Sequence, residues 1–380
     1  MSRESLTGTR PGHRWPPRPD VLRLALWAAG AAPRSPASGG PGRRLAAGAA
    51  PGPAARRGRS ADDALARALC AVRAARARQR LGRHAEATAL ADTALWWARR
   101  AGSEPERIAA LHVLGVSLWH GPEPVATAVF RLRALLEEHG DGRPEARLAL
   151  AGPLAVLYGM QERRAAARTA LAEAHAGAAE LGAGGATGGG VLLSVLTARV
   201  ESLTGRRRPA VRLLEAAADE ADSLGLGRLR DAARWAVVRV LTDADRYEEA
   251  VHRLPVAGTW TVPAGGPGRS ARAAWSARSV HGAGPAGLAA RIAAVRGCAG
   301  EALALAERAV GEAEATDSPV VQALARLDQA EVFRLTGRRG EARRAVSLAG
   351  CGFARKGHVA GVGVAAARHA ALAPEAVPAG

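Results

Sequence analysis

The chain has 380 residues, 48% of them hydrophobic but only 3% aromatic, so alanine and leucine supply most of its apolar surface. Such surface suits helices packed on helices. Strand-like two-residue alternation of β-branched residues is missing, which excludes a large sheet, and no apolar stretch approaches the ~20 residues of a membrane span. The formal charge of +18 is unevenly spread: residues 1–60 hold eleven arginines and two acids, a net of +9, and the other 320 residues carry the remaining +9 as mixed charge on helix faces.

Residues 1–60 are dense in Pro, Gly, Arg and Ser, as in Pro33-Arg34-Ser35-Pro36 and Pro51-Gly52-Pro53. They cannot bury enough apolar surface to offset the entropy of ordering, which predicts a disordered arm with at most a short helix over 20–30. The arm reads either as a handle for nucleic acid or acidic partners or, more plainly, as the mark of a GC-biased coding sequence that raises Arg, Ala, Gly and Pro together. Residues 21–32 have the length of a signal-peptide core, but Arg23 interrupts them, which favours a cytoplasmic chain. Cys70, Cys298 and Cys351 are odd in number, far apart and without a C-x-x-C, which predicts free thiols in a reducing compartment and no zinc site.

From residue 61 the helical pattern starts. Residues 61–81 read as one helix ended by Gly82. Ala87, Leu90, Ala91, Ala94 and Leu95 stripe the next, which stops at Gly102 after Arg99 and Arg100, two cations that complement the helix dipole. Ser103 to Glu106 has the form of a capping box for a third helix, and the turn Gly121-Pro122-Glu123-Pro124 leads into a fourth that ends near Gly140. Helices at 146–158 and 165–181 flank a turn at Glu162. The Gly/Ala stretch 182–190 is the weakest joint of the array. Further pairs flank Gly205 (191–203 and 211–224) and Asp245 (229–241 and 248–254). Residues 255–290, with Pro255, Pro263 and Gly265-Gly266-Pro267, are longer than ordinary loops and predict an irregular insertion or hinge.

Residues 293–357 say the same thing twice, forty positions apart. Ala302, Leu305, Ala306, Ala309, Val310 and Ala313 stripe the first copy, and Ala342, Ala345, Val346, Ala349 and Phe353 the second. Ser318-Pro319 between them reads as an N-cap followed by a first-turn proline, opening a helix striped by Val320, Ala323, Leu324, Leu327 and Ala330. Measured turn to turn, units begin at Gly82, Gly121, Glu162, Gly205, Asp245, Gly297 and Gly337, in steps of 39, 41, 43, 40, 52 and 40 residues, the long step containing the insertion. A sustained period near forty predicts a helical solenoid.

The runs Glu301-Ala302-Leu303-Ala304-Leu305-Ala306-Glu307-Arg308-Ala309-Val310, Ala330-Glu331-Val332-Phe333-Arg334-Leu335-Thr336-Gly337-Arg338 and Phe353-Ala354-Arg355-Lys356-Gly357 resemble the C-terminal tetratricopeptide-like region of large bacterial signalling regulators. In those, a class III nucleotide-cyclase-homology or transcription-factor domain accompanies an AAA-type ATPase module. The resemblance covers roughly residues 65–372 and implies a regulatory, partner-binding role. The catalytic and ATPase parts are not in this chain, since G-x-x-x-x-G-K-[ST] does not occur and Lys356, the only lysine, sits in no such loop. Glu162 and Asp245 depart from the pattern by standing where the turn glycine belongs.

Candidate chemistry is sparse. Glu137-Glu138, Asp219-Glu220 and Glu248-Glu249 are helix neighbours whose carboxylates diverge by about 100°, so they read as solvated faces. The ten histidines include no i, i+4 pair, and His112 reads as half-buried packing. The Gly-rich stretch 182–190 lacks a preceding strand and a phosphate-binding lysine. Trp97 borders its helix's apolar face and Trp96 points nearly opposite. Packing explains both, and the sharper reading makes Trp96 a groove anchor. Arg206-Arg207-Arg208 and Arg338-Arg339 lie on turns without interleaved aromatics, which leaves nucleic-acid recognition the minor reading.

The sequence therefore predicts an all-α, tetratricopeptide-like right-handed solenoid of about seven helix pairs, with an arm at 1–60, repeats at 61–254 and 291–373, and a loose tail at 374–380. The expected function is a non-enzymatic, cofactor-free, cytoplasmic interaction module of a bacterial signalling system. Its partner would be a protein or peptide, such as an ATPase, cyclase-type or transcription-regulator module, held in the solenoid groove. The alternative is a DNA-associated transcriptional regulator using the basic arm.

Overall fold

The computed structural model describes residues 53–182, 188–254 and 285–373. Among them the chain forms fifteen helices and no strand: α1 (Pro53–Arg80), α2 (His84–Ala101), α3 (Glu104–His120), α4 (Val125–His139), α5 (Pro144–Met160), α6 (Arg164–Glu180), α7 (Gly188–Leu203), α8 (Arg207–Ser223), α9 (Gly227–Thr242), α10 (Tyr247–His252), α11 (Pro285–Val295), α12 (Ala299–Glu314), α13 (Pro319–Leu335), α14 (Arg339–Lys356) and α15 (Val359–Ala371). Each helix packs against the next, and from α1 to α13 each odd helix also touches the following odd one. The odd helices thus build an inner layer and the even ones an outer layer. This is an all-α, tetratricopeptide-like helical-repeat fold of seven pairs and a final helix.

The chain reverses within each pair at a single backbone position. Gly82, Gly205, Gly297 and Gly337 adopt left-handed φ of 70°, 84°, 80° and 79° there. Glu162 (φ 60°) and Asp245 (φ 57°) adopt the same conformation with a side chain, at a cost of about 1 kcal/mol for a residue carrying a Cβ. Gly121 differs: it is extended, with φ −71° and ψ 179°. Pro122 follows it, and a residue before proline is pushed out of the helical region.

The inner helices are buried far beyond a stripe. Residues 148 to 160 of α5 are buried without interruption, as expected of a helix that is apolar all round, and so are 286 to 294 of α11, with Arg291 among them. Small residues let these helices approach. Pro153 inside α5 deprives the Ala149 carbonyl of its helical donor, and Gly115 of α3 lies over that carbonyl. A Cβ at Gly115 would stand 2.5 Å from the oxygen. His112, read from sequence as half-buried, is 4% exposed in the same layer.

Three boundaries differ from the sequence reading. The first helix starts at Pro53, inside the stretch assigned to the arm, and α11 starts at Pro285, inside the stretch assigned to the insertion. In both, proline opens the helix, where its fixed φ suits the first turn and its missing N–H is no loss. Helix α7 starts at Gly188, within the Gly-rich joint. The predicted arm over 1–52, the joint over 183–187, the insertion over 255–284 and the tail over 374–380 lie outside the described residues. Ser318 caps α13 as its spacing predicts, accepting from the Val321 N–H at 3.3 Å. Ser103 does not cap α3; its hydroxyl pairs with the Glu106 carboxylate instead.

The groove expected from the sequence is not open along its length. Helix α3 approaches α13 and α5 approaches α15, and a single apolar core joins Leu111, Leu118, Leu150 and Leu157 to Leu327, Val346 and Phe353. The last repeats therefore lie against the first three, so that contacts run between distant repeats as well as neighbouring ones.

Candidate functional site: the inner charged cluster and the seam

Where α9, α11 and α13 follow one another in the inner layer, the core changes from apolar to ionic. Arg291 of α11, with no exposed surface, donates to Asp243 at 2.7 Å, to Tyr247 Oη at 3.2 Å, to the Thr242 carbonyl, and at 3.4 Å to Asp328 of α13. Arg239 of α9 forks onto the same Asp328 carboxylate at 2.5 and 2.7 Å, the two-point geometry that suits guanidinium and carboxylate. Gly287, one helical turn before Arg291, makes the room: a Cβ there would collide with the Asp328 carboxylate. Tyr247 donates on to Glu331 Oε1 at 3.0 Å, and Arg334 spans both oxygens of that carboxylate at 3.1 and 2.6 Å. From α15, Arg368 faces Asp243 at 3.6 Å.

Arginines outnumber acids here. Burial works against the charge on Asp243, but Arg239, Arg291 and Arg368 together hold its carboxyl below the usual range. Burial likewise opposes ionisation of Glu331, and Arg334 overcomes it. The Nε of Arg291 and Nη1 of Arg368 are buried without a hydrogen-bond partner among the described residues. Asp243 and Arg368 stay about a third and a quarter exposed, 35% and 24%, so the cluster has an open side.

A second polar set joins the first and last repeats. Asp317, between α12 and α13, takes the N–H groups of His84 and Ala85 at 2.9 and 2.8 Å, and its own N–H donates to the Gly82 carbonyl at 3.0 Å. Helix α2 has no side-chain cap of its own, so its orphan donors are satisfied from 233 residues away. Ser318 Oγ donates to the His120 carbonyl at 2.5 Å. Lys356, fully buried at the end of α14, donates to the carbonyls of Leu118, Gly121 and Glu123 at 3.0, 2.7 and 2.6 Å. Burial pulls its ammonium down to about 8, although Glu123 and Asp317 counter it. Beside it His358 caps α15, its Nδ1 accepting from Gly361 N–H at 3.0 Å. Burial and Arg199 push that imidazole down to about 3.

The residues singled out from sequence fall elsewhere. Gly82 and Gly121 border the seam through their carbonyls, whereas Glu162, Gly205, Asp245, Gly297 and Gly337 serve the turns. Trp96 is on α2, in the outer layer, 52% exposed, edge-on to Trp97 at 4.4 Å and under the Arg100 guanidinium at 4.9 Å. Trp96 thus lies away from the inner face, which is made by the odd helices. Cys70, Cys298 and Cys351 are free and exposed. Among the described residues no three potential ligands cluster as a metal site, and no helix is long and apolar enough to cross a membrane.

Sequence reasoning missed the cluster and the seam, although each left a trace. Asp328 stands four and eight residues after Leu324 and Val320, on the stripe that should be apolar. Arg291 interrupts the run Leu288 to Ala294, and Lys356 is the single lysine in a chain that otherwise uses arginine.

No protein-family description matches this sequence, and no curated protein is similar enough to be matched. Among solved structures, a Rap protein complexed with competence and sporulation factor is similar in shape, at 12% identity and a TM-score of 0.38, covering 80% of this chain and 97% of that one. At that level the likeness carries nothing about this chain's partner.

Proposed function

We propose that this chain is a non-catalytic interaction module that docks a protein or peptide partner on the inner face of its helical array. The observation that carries the reading is the charged cluster on α9, α11, α13 and α15. A structural core is served better by apolar residues, since buried ion pairs are often neutral or worse for stability. Here the excess of arginine and the open side at Asp243 and Arg368 offer a partner charged groups held in fixed positions. The partner chemistry that fits is a segment bearing carboxylates, bound as an extended chain or helix against a concave wall. The resemblance to signalling regulators supports a cytoplasmic role beside an ATPase, cyclase-type or transcription-regulator module.

The test is capture of that partner by the full chain, compared with Arg368→Glu and Trp96→Ala variants. Inner-face docking predicts at least a tenfold loss for Arg368→Glu and no loss for Trp96→Ala. The reverse pattern would place the interaction on the outer layer and reject the reading. The net +9 of residues 1–60 supports a second reading, a DNA-associated regulator. In that case affinity for duplex DNA falls steeply with salt and vanishes when the arm is removed.

A further inference from the structure

We infer that the inner face holds a binding site for one doubly charged anion of the phosphoryl type, gripped between Arg199 of α7 and Arg368 of α15. Arg199 stands out because it makes no ion pair and no hydrogen bond among the described residues, although it is half-buried. Its neighbours place it. The charges of Arg239 and Asp243 on α9 reach it, and its own charge reaches His358 just before α15. It therefore lies between α9 and α15, beside the open side of the ionic cluster. Burial and Arg239 both pull its guanidinium below the usual arginine range, and Asp243 counters them only in part.

Around Asp243 four guanidiniums, of Arg199, Arg239, Arg291 and Arg368, meet two carboxylates, of Asp243 and Asp328. Both carboxylates are already taken. Arg239 forks onto Asp328, while Arg291 and Arg368 approach one oxygen of Asp243 at 2.7 and 3.6 Å. Two positive charges are left over, on a wall that apolar side chains would build without loss of stability. Donors are left over too: Nη1 of Arg368 is buried without a hydrogen-bond partner, and the guanidinium of Arg199 has none among the described residues. A single carboxylate would cancel half of that surplus. A phosphoryl group, at about −2, cancels it and presents three oxygens to guanidinium forks that match them. Arg199 and Arg368 touch the anion, and Arg239 and Arg291 act from behind as fixed charges. His358, held uncharged by burial and Arg199, adds no charge of its own. The inference rests on the docking face proposed above and names the acidic group that fits it.

Calorimetric titration of the full chain with inorganic phosphate, at constant ionic strength set with sodium chloride, tests the site without any partner. It therefore fails or holds separately from partner capture. The expected result is one phosphate bound per chain, matched by sulfate, with acetate at least tenfold weaker. Arg199→Met and Arg368→Met should each weaken phosphate at least tenfold. Arg207→Met, at the exposed start of α8, should leave it unchanged. No phosphate binding, binding that either site variant keeps, or binding that acetate matches would overturn the inference. Should Arg368→Met not fold, Arg199→Met decides alone, because Arg199 pairs with no acid among the described residues and its loss strands none. A second titration, with Gly-Gly-phosphoserine-Gly-Gly, separates the two sources of the group. Affinity equal to that of phosphate puts it on a docked segment, and affinity at least tenfold lower restricts the site to a free anion; the site stands in either case.

Discussion

Two joints of the same array are held by different physics. Between α3 and α5 the inner helices meet through Leu111, Leu114, Leu150 and Leu157, with Gly115 settled on the Ala149 carbonyl. Between α9, α11 and α13 the contact is carried by Arg239, Arg291 and Asp328. Both joints arise from stacked helix pairs, although the turns are 41 residues apart across α3–α5 and 52 across α9–α11. The difference teaches that a repeat fixes where helices go and leaves the bond between them open. One joint is a close-packed contact with a single geometry. The other is a set of directed charges, stable only while every member is present.

The sharpest way to break that comparison is to remove one residue from each joint. Asp328→Ala leaves Arg239 and Arg291 without their shared carboxylate, and an uncompensated buried charge costs about 3–5 kcal/mol. Leu150→Ala in the apolar joint should cost about 2–4 kcal/mol through lost burial and a residual cavity. Urea unfolding measures both. The two joints separate most clearly in the cure: Asp328→Asn, which keeps the shape but not the charge, should recover little of the loss. Full recovery would mean that the cluster acts through packing rather than charge.

Acid provides a second, smaller contrast. His112 lies in the apolar inner layer, and burial with Arg76 nearby holds its imidazole down to about 3. His358 at the seam is held at about the same value by burial and Arg199. A histidine whose folded value lies below its unfolded one supports the fold fully above about 6.5 and loses that support as pH falls towards 3. Stability followed between pH 7 and 3 should therefore decline before most carboxylates titrate, and His112→Asn should flatten the upper part of the decline. The cluster carboxylates Asp243 and Glu331, held below their usual range, contribute only at the acidic end of the same curve.

The smallest effect belongs to Trp96. Its half-exposed ring and the Arg100 contact make Trp96→Ala worth about 1 kcal/mol or less. Thermal unfolding would show it, and a loss as large as that of Leu150→Ala would mean that the outer layer carries more of the fold than its exposure implies.

The repeats were legible because their causes are local. Apolar spacing, first-turn prolines and residues at the turns act within a few positions, so the helix pairs, and the Ser318 cap, can be found by reading along the chain. Even Glu162 and Asp245 could be located, since the period demanded a turn where no glycine stood. The joint chemistry was less legible. Asp328 on an apolar stripe marks a buried acid, but its partners Arg239 and Arg291 lie 89 and 37 positions away, and no periodicity connects them.

By itself, then, the sequence determined an array of helix pairs, its period and its turns, because helix formation and amphipathic stacking depend on neighbours. Only the tertiary structure decided that the array closes, that Asp317 caps a helix 233 residues away and that Lys356 sits 238 residues from the carbonyl of Leu118. Curvature sums small rotations over all the pairs, and where the two ends meet depends on that sum rather than on any one repeat.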